Sequence, residues 1–93
     1  MEPLVRNAID RSRYELIVDD QVVGIADYRV IGDEVVFTHT EVVSHLRGRG
    51  HGERLVRGAL DDVRAAGRTV VARCWFVADF LETHADYADL RAA

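Results

Sequence analysis

Three places along the chain hold groups able to do chemistry. The first is RGRGHG at 47–52, where Gly48, Gly50 and Gly52 alternate with Arg47, Arg49 and His51 just ahead of a helical apolar pattern. A helix opens with about four N–H groups that lack partners within it, and its dipole adds roughly half a positive charge there, so anions settle at such ends. Glycines remove the side chains that would keep a phosphate from those amides. Arg47 and Arg49 can add charge-assisted hydrogen bonds of about 1.5–3 kcal/mol each when partly desolvated. A flexible surface turn is the competing reading of so many glycines. The second place is His39 and Glu41, two apart in an apolar run. Strict alternation puts Val35, Phe37, His39, Glu41 and Val43 on one strand face, so an imidazole and a carboxylate project together and can take up a proton, directly or through a water. The third is Cys74, the only cysteine, which can be a proton donor, a transient acyl acceptor or a small packed residue.

Several chemistries are excluded. All twelve basic residues are arginine, so neither a Walker A lysine nor a Schiff-base lysine is available. A dinucleotide fingerprint needs G-x-G-x-x-G, and here the third glycine comes one residue too soon. The four histidines lack metal-ligand spacing and no cysteines are paired, so no metal is expected. A net charge of -4 argues against nucleic acid as the partner, and the arginine-glycine stretch is too short for a disordered RNA-binding segment. Cys74 cannot form an intrachain disulfide. No apolar stretch approaches the length of a membrane span, and no signal peptide is evident, so the cytoplasm is the expected address, with no membrane partner. At 93 residues, 48% hydrophobic and 30% charged, the chain reads as a single domain over 1–93 with one packed core.

The elements that must position these groups follow from the hydrophobic pattern. Residues 13–18, 21–31 and 34–44 are rich in β-branched and aromatic residues and are joined by DD and GD turns, which predicts an antiparallel meander. Gly24 marks either a bulge or a close packing contact. From Gly52 the period changes: Leu55, Val56, Ala59, Leu60, Val63 and Ala66 share one helical face, with Arg54, Arg57, Asp61, Asp62 and Arg64 on the other, and Gly67 caps the end. Residues 68–74 form a further strand and 76–84 a second helix with Val77, Phe80 and Leu81 inward. A crossover connection makes that strand parallel to the one ending near Ser44. The fold class is therefore α/β (α+β), a mixed sheet of three antiparallel strands, a helix, a parallel strand and a C-terminal helix. The strand at 13–18 is left as an exposed edge, which would suit a monomer or a weak homodimer.

Arg47-x-x-Gly50-x-Gly52 directly after an apolar strand resembles the acyl-CoA pyrophosphate loop of the GNAT superfamily of N-acetyltransferases. Together with HTEVV at 39–43, CWF at 74–76 and HADYADL at 84–90, it is similar to the small, single-domain YjdJ-type branch of that superfamily. The resemblance implies that the backbone of Val42 and Val43 pairs with the pantetheine arm of acetyl-CoA. It also implies that the N–H groups of Arg47, Gly48, Arg49, Gly50, His51 and Gly52 hold the diphosphate, and that the thioester lies near Glu41 and Cys74. A backbone N–H near Val42 or Val43 would polarise the thioester carbonyl. The implied activity is acetyl transfer to an amine, of a small molecule, peptide or protein. Cys74, Glu41 and His39 are then the candidate catalytic residues: an alkylammonium must lose a proton before it attacks, at a cost of roughly 4–5 kcal/mol at neutral pH, and His39 with Glu41 could accept it. Many superfamily members carry a tyrosine acid where Trp75 and Phe76 stand here, and these two, with Phe80, are expected in the core or against pantetheine. His84 and Tyr87 are expected to fasten the C-terminal segment, and His45 and His51 to be loop residues. A CoA-binding module with little or no turnover is the alternative.

Overall fold

The computed structural model describes residues 2–44, 48 and 50–92; His45, Arg47 and Arg49 of the sequence reading lie outside them. One five-stranded sheet runs in chain order: β1 (Leu4–Ala8), β2 (Arg13–Val18), β3 (Gln21–Ile31), β4 (Glu34–Val42) and β5 (Thr69–Ala72). The first four pair antiparallel, and β5 lies parallel to β4. Helix α1 (His51–Ala65) makes the crossover between them, and α2 (Trp75–Thr83) follows β5. A 3-10 segment, Ala85–Leu90, leads to a bridge between Val70 and Arg91.

Strand β1 is absent from the sequence reading, and it overturns the expectation of an exposed edge at 13–18. It pairs along β2 from Leu4↔Ile17 to Ala8↔Arg13, so β2 is interior and β1 is the outer strand. LVRNA has no clean alternation of apolar residues, and Leu4 stays exposed. A clue lay in α1 instead: a Cβ on Gly58 would stand 2.6 Å from a methyl of Val5, so that glycine lets β1 approach the helix.

The turns follow from residues that tolerate the left-handed region. Asp19 and Asp20 have φ of 49° and 66°, as a two-residue hairpin turn of the primed type requires. Both readings of Gly24 hold. Leu16 pairs with Gly24 but Ile17 with Val22, leaving Val23 as a bulge, and a Cβ on Gly24 would stand 3.3 Å from Leu55. A second bulge falls in β4, where Asp27 pairs with His39 and Tyr28 with Phe37.

Leu55, Val56, Ala59, Leu60 and Val63 of α1 are buried on the sheet, while Ala66, expected on that face, is an exposed cap. The helix ends in a Schellman arrangement: Gly67 N–H donates to the Arg64 carbonyl and Arg68 N–H to that of Val63. Val77, Phe80 and Leu81 bury α2 in the same core. Tyr14, Tyr28 and Phe37 stack in that core with centroids 5.2–6.2 Å apart. Asp62 and Asp61, on the polar side of α1, accept hydrogen bonds of 2.6 Å from the hydroxyls of Tyr14 and Tyr87. The polar side of the helix is thus tied to the sheet and to the C-terminal segment.

Candidate functional site

The site begins where β4 and β5 part. Their last paired residues are Phe37 and Ala72, followed by one further bond from Arg73 N–H to the Phe37 carbonyl. Residues 39–42 of β4 run on paired with β3 only, while the segment after β5 turns into α2. A cleft of about 550 Å³ opens in the gap, lined by Thr40, Glu41, Val42, Gly48, the residues Gly50 to Glu53, Trp75 and Phe76.

The Thr38 bulge decides which side chains meet there. Alternation without a bulge would keep His39 and Glu41 on the face of Val35 and Phe37. The extra residue reverses this: Thr40 and Val42 now sit opposite Ala26 and Gly24, on the face packed by α1, and His39 and Glu41 sit opposite Asp27 and Ile25, on the other face. The imidazole and the carboxylate remain together, Nε2 to Oε2 at 3.1 Å, both well exposed. Thr40, which the unbulged pattern turned away, comes within 3.3 Å of Cys74 Sγ through its Oγ1.

Register also fixes the peptide groups. Val43 N–H donates to the Val23 carbonyl at 2.8 Å, which makes Gly24 and Val42 a non-hydrogen-bonded pair and turns the polar groups of Val42 away from β3. The amide of Val43 is therefore spent within the sheet, and of the two valines only Val42 directs its backbone toward the side that β5 vacates.

Gly50 is the N-cap of α1 with φ 77°, and Gly48 has φ 81°; a Cβ at either would meet nothing within 4 Å. No side chain caps the helix, so its first-turn amides face the cleft unclaimed by any cap. Gly52 differs. A Cβ there would stand 2.6 Å from the Phe76 ring, so this glycine seats α2 against α1. His51 opens the helix and does not belong to the loop, and its Nδ1 is buried without a hydrogen-bond partner among the described residues. Trp75, expected in the core or against pantetheine, is 77% exposed at the lip and touches Phe76 edge-on at 5.7 Å. Phe76 is partly buried and Phe80 fully so.

A family model for GCN5-related N-acetyl-transferases matches residues 13–90. The chain belongs to the GNAT superfamily. No curated protein is significantly similar to it in sequence. Among solved structures, a GCN5-like protein from Staphylococcus aureus superposes with a TM-score of 0.74 at 21% identity, covering 97% of this chain and 88% of that one. The ribosomal-protein-S18-alanine N-acetyltransferase of Escherichia coli (TM-score 0.61, 18% identity) and the IAA acetyltransferase of Bacillus cereus (0.56, 21%) each match over 64% of this chain. The chain spans 39% and 41% of their lengths. At such identities these likenesses concern the fold.

In this GNAT fold the first turn of α1 carries a carboxylate, Glu53. His84 Nε2 lies 3.2 Å from it and Arg57 3.5 Å. The histidine first, then the arginine, holds the Glu53 carboxyl below the usual carboxylate range. His84 is itself stacked on Phe80 at 3.8 Å, and its Nδ1 faces the Phe80 carbonyl at 2.9 Å. Arg57 lies over the Phe80 and Tyr87 rings and is also paired with Glu53 and Asp86. Nothing in the spacing of Glu53 and His84, thirty-one residues apart, announced this contact. The N-cap is Gly50, which puts no side chain on the first-turn amides. Among the described residues no cluster suited to a metal ion occurs, and no helix is long and apolar enough to cross a membrane.

Proposed function

We propose that this GNAT protein binds acetyl-CoA in the cleft between β4 and β5 and transfers its acetyl group to an amine. The observation that carries the reading is the coincidence, at one cleft, of an uncapped helix start entered through two left-handed glycines and a strand pair that parts beside it. The residues fit the cofactor: Gly48, Gly50 and the first-turn amides of α1 suit a diphosphate, and Val42 lines the same cleft. Arg47 and Arg49 we retain as its charged partners. When bound, acetyl-CoA supplies an activated acyl group, so the protein's tasks are orientation and proton transfer.

His39 and Glu41 form the base in this reading: the 3.1 Å pair takes the proton that an alkylammonium must lose, which otherwise costs roughly 4–5 kcal/mol at neutral pH. The Cys74 thiol, 3.3 Å from Thr40 Oγ1, is the group we assign to return a proton to the leaving sulfur. As the new C–N bond forms and the C–S bond breaks, one proton enters at Glu41 or His39 and one leaves at Cys74. Solvent restores both.

Release of CoA thiol from acetyl-CoA in the presence of a panel of amines tests the reading. Steady turnover is expected, with Glu41→Gln lowering kcat by about 10²–10⁴-fold while the Kd for CoA stays unchanged. The alternative, a CoA-binding module without turnover, is favoured by Trp75 and Phe76 standing where many of these enzymes carry a tyrosine acid. CoA binding with no thiol release above background would select it.

A further inference from the structure

Both nitrogens of the His84 ring face acceptors. Nε2 lies 3.2 Å from the Glu53 carboxylate, and Nδ1 lies 2.9 Å from the Phe80 carbonyl and 3.0 Å from Thr83 Oγ1. The Thr83 hydroxyl gives its own hydrogen to the Asp79 carbonyl at 2.9 Å, so it too accepts from the ring. A neutral imidazole has one N–H and one lone pair, and here that lone pair would confront a carbonyl or a carboxylate. The form that satisfies this geometry is the imidazolium, stacked on Phe80 at 3.8 Å. Among the described residues, the charged and titratable groups around it are Glu53, the Arg57 that meets the same Glu53 oxygen at 3.5 Å, and Asp86 and Tyr87, which reach Arg57 from the 3-10 segment.

What this proton controls follows from the place of Glu53 in α1. Gly50 is the N-cap, so Glu53 is the third helical residue, the position from which a Glu side chain can turn back onto the N–H groups that open a helix. Those amides attract anions, and a carboxylate in the first turn is an internal competitor for any anion that the cleft takes. The bond from His84 Nε2 draws it toward α2 instead. With the remaining hydrogen on Nδ1, facing Phe80, a neutral ring would present a lone pair to Glu53, and among the described residues Arg57 alone would hold it. We propose that His84 is a positioning residue whose proton keeps Glu53 off the first-turn amides, so that cofactor affinity falls as the pH rises through the range in which histidine loses its charge. This rests on the cofactor-binding part of the reading above.

The probe is 3′-dephospho-CoA, which keeps the diphosphate, ionised throughout the histidine range, and lacks the separately titrating 3′-phosphate. Calorimetric titration into the full chain should give a Kd about fivefold higher at about pH 8 than at about pH 6. Binding and protonation are linked, so at about pH 7 the complex should take up a fraction of a proton, read from the dependence of the heat on the ionisation enthalpy of the buffer. Glu53→Ala removes the competitor and should bring the two Kd values within about twofold of each other. His84→Phe keeps a ring against Phe80 but no donor, and at both pH values it should bind as the wild type does at the higher one. With Glu53→Ala added, it should bind as Glu53→Ala alone. A wild-type Kd indifferent to pH, full pH dependence in His84→Phe, or a loss from His84→Phe that persists beside Glu53→Ala overturns the proposal and leaves the cofactor reading standing. No binding at either pH overturns the cofactor reading and this inference with it.

Discussion

At Gly50 the backbone holds φ 77° with open space where a Cβ would lie, and a non-glycine residue in the left-handed region costs roughly 1–2 kcal/mol. Gly50→Ala should therefore lower stability by about 1 kcal/mol and CoA affinity by about tenfold, since the added methyl fills the approach to the amides. Chemical denaturation and calorimetry read the two effects separately. Gly52→Ala should behave otherwise, because its Cβ meets the Phe76 ring at 2.6 Å: overpacking of this kind costs about 1–3 kcal/mol. Combining it with Phe76→Leu should recover at least about 0.5 kcal/mol as coupling, and strictly additive losses would show that the ring is not what Gly52 accommodates. The three glycines look alike in RGRGHG. What distinguishes them is the neighbour each would strike, and that neighbour lies 24 residues away for Gly52, beyond what local spacing encodes.

Elements were legible where a period was long and unbroken. The face of α1 from Leu55 to Val63 and the inward Val77, Phe80 and Leu81 of α2 follow from 3.6-residue spacing, and β2 and β3 have the bounds that their composition suggests. The period of β4 breaks at Thr38. A bulge is one extra residue with no composition of its own, so alternation carried His39 and Glu41 to the wrong face while keeping them together, and missed Thr40 beside Cys74. β2 carries a further device on the face opposite Tyr14 and Leu16. Glu15, whose side chain is almost wholly covered, is held by Arg6 at 2.7 Å, Arg13 at 2.9 Å and Arg11 at 3.6 Å. The Arg6 bond, with Arg13 adding to it, keeps this carboxyl below its ordinary value of 4.5 against the opposing effect of burial. A depressed folded-state pKa contributes stability that is complete above about pH 4.5 and drains as pH falls through the folded value. Glu15→Gln should cost about 1–3 kcal/mol at neutral pH, and the wild-type and variant urea midpoints should converge as the pH falls below about 4.5. Parallel curves would show that the arginines stabilise Glu15 no more in the fold than in the unfolded chain.

For the molecule as a whole, an acidic chain of net charge -4 keeps its unclaimed helix start beside the parting of β4 and β5, with Glu53 neutralised there by His84 and Arg57. The crossover that makes β5 parallel to β4 could be read from strand, helix and strand in succession; the outer strand β1 and the folding of α2 onto Gly52 could not, since each depends on contacts between distant segments. The most direct measurement is isothermal titration of CoA into the full chain and into Gly50→Ala. Saturable binding with one site in the micromolar range, weaker at higher salt and weaker again in the variant, is the expected result. No heat at high micromolar CoA, or an affinity indifferent to Gly50→Ala, would contradict the account.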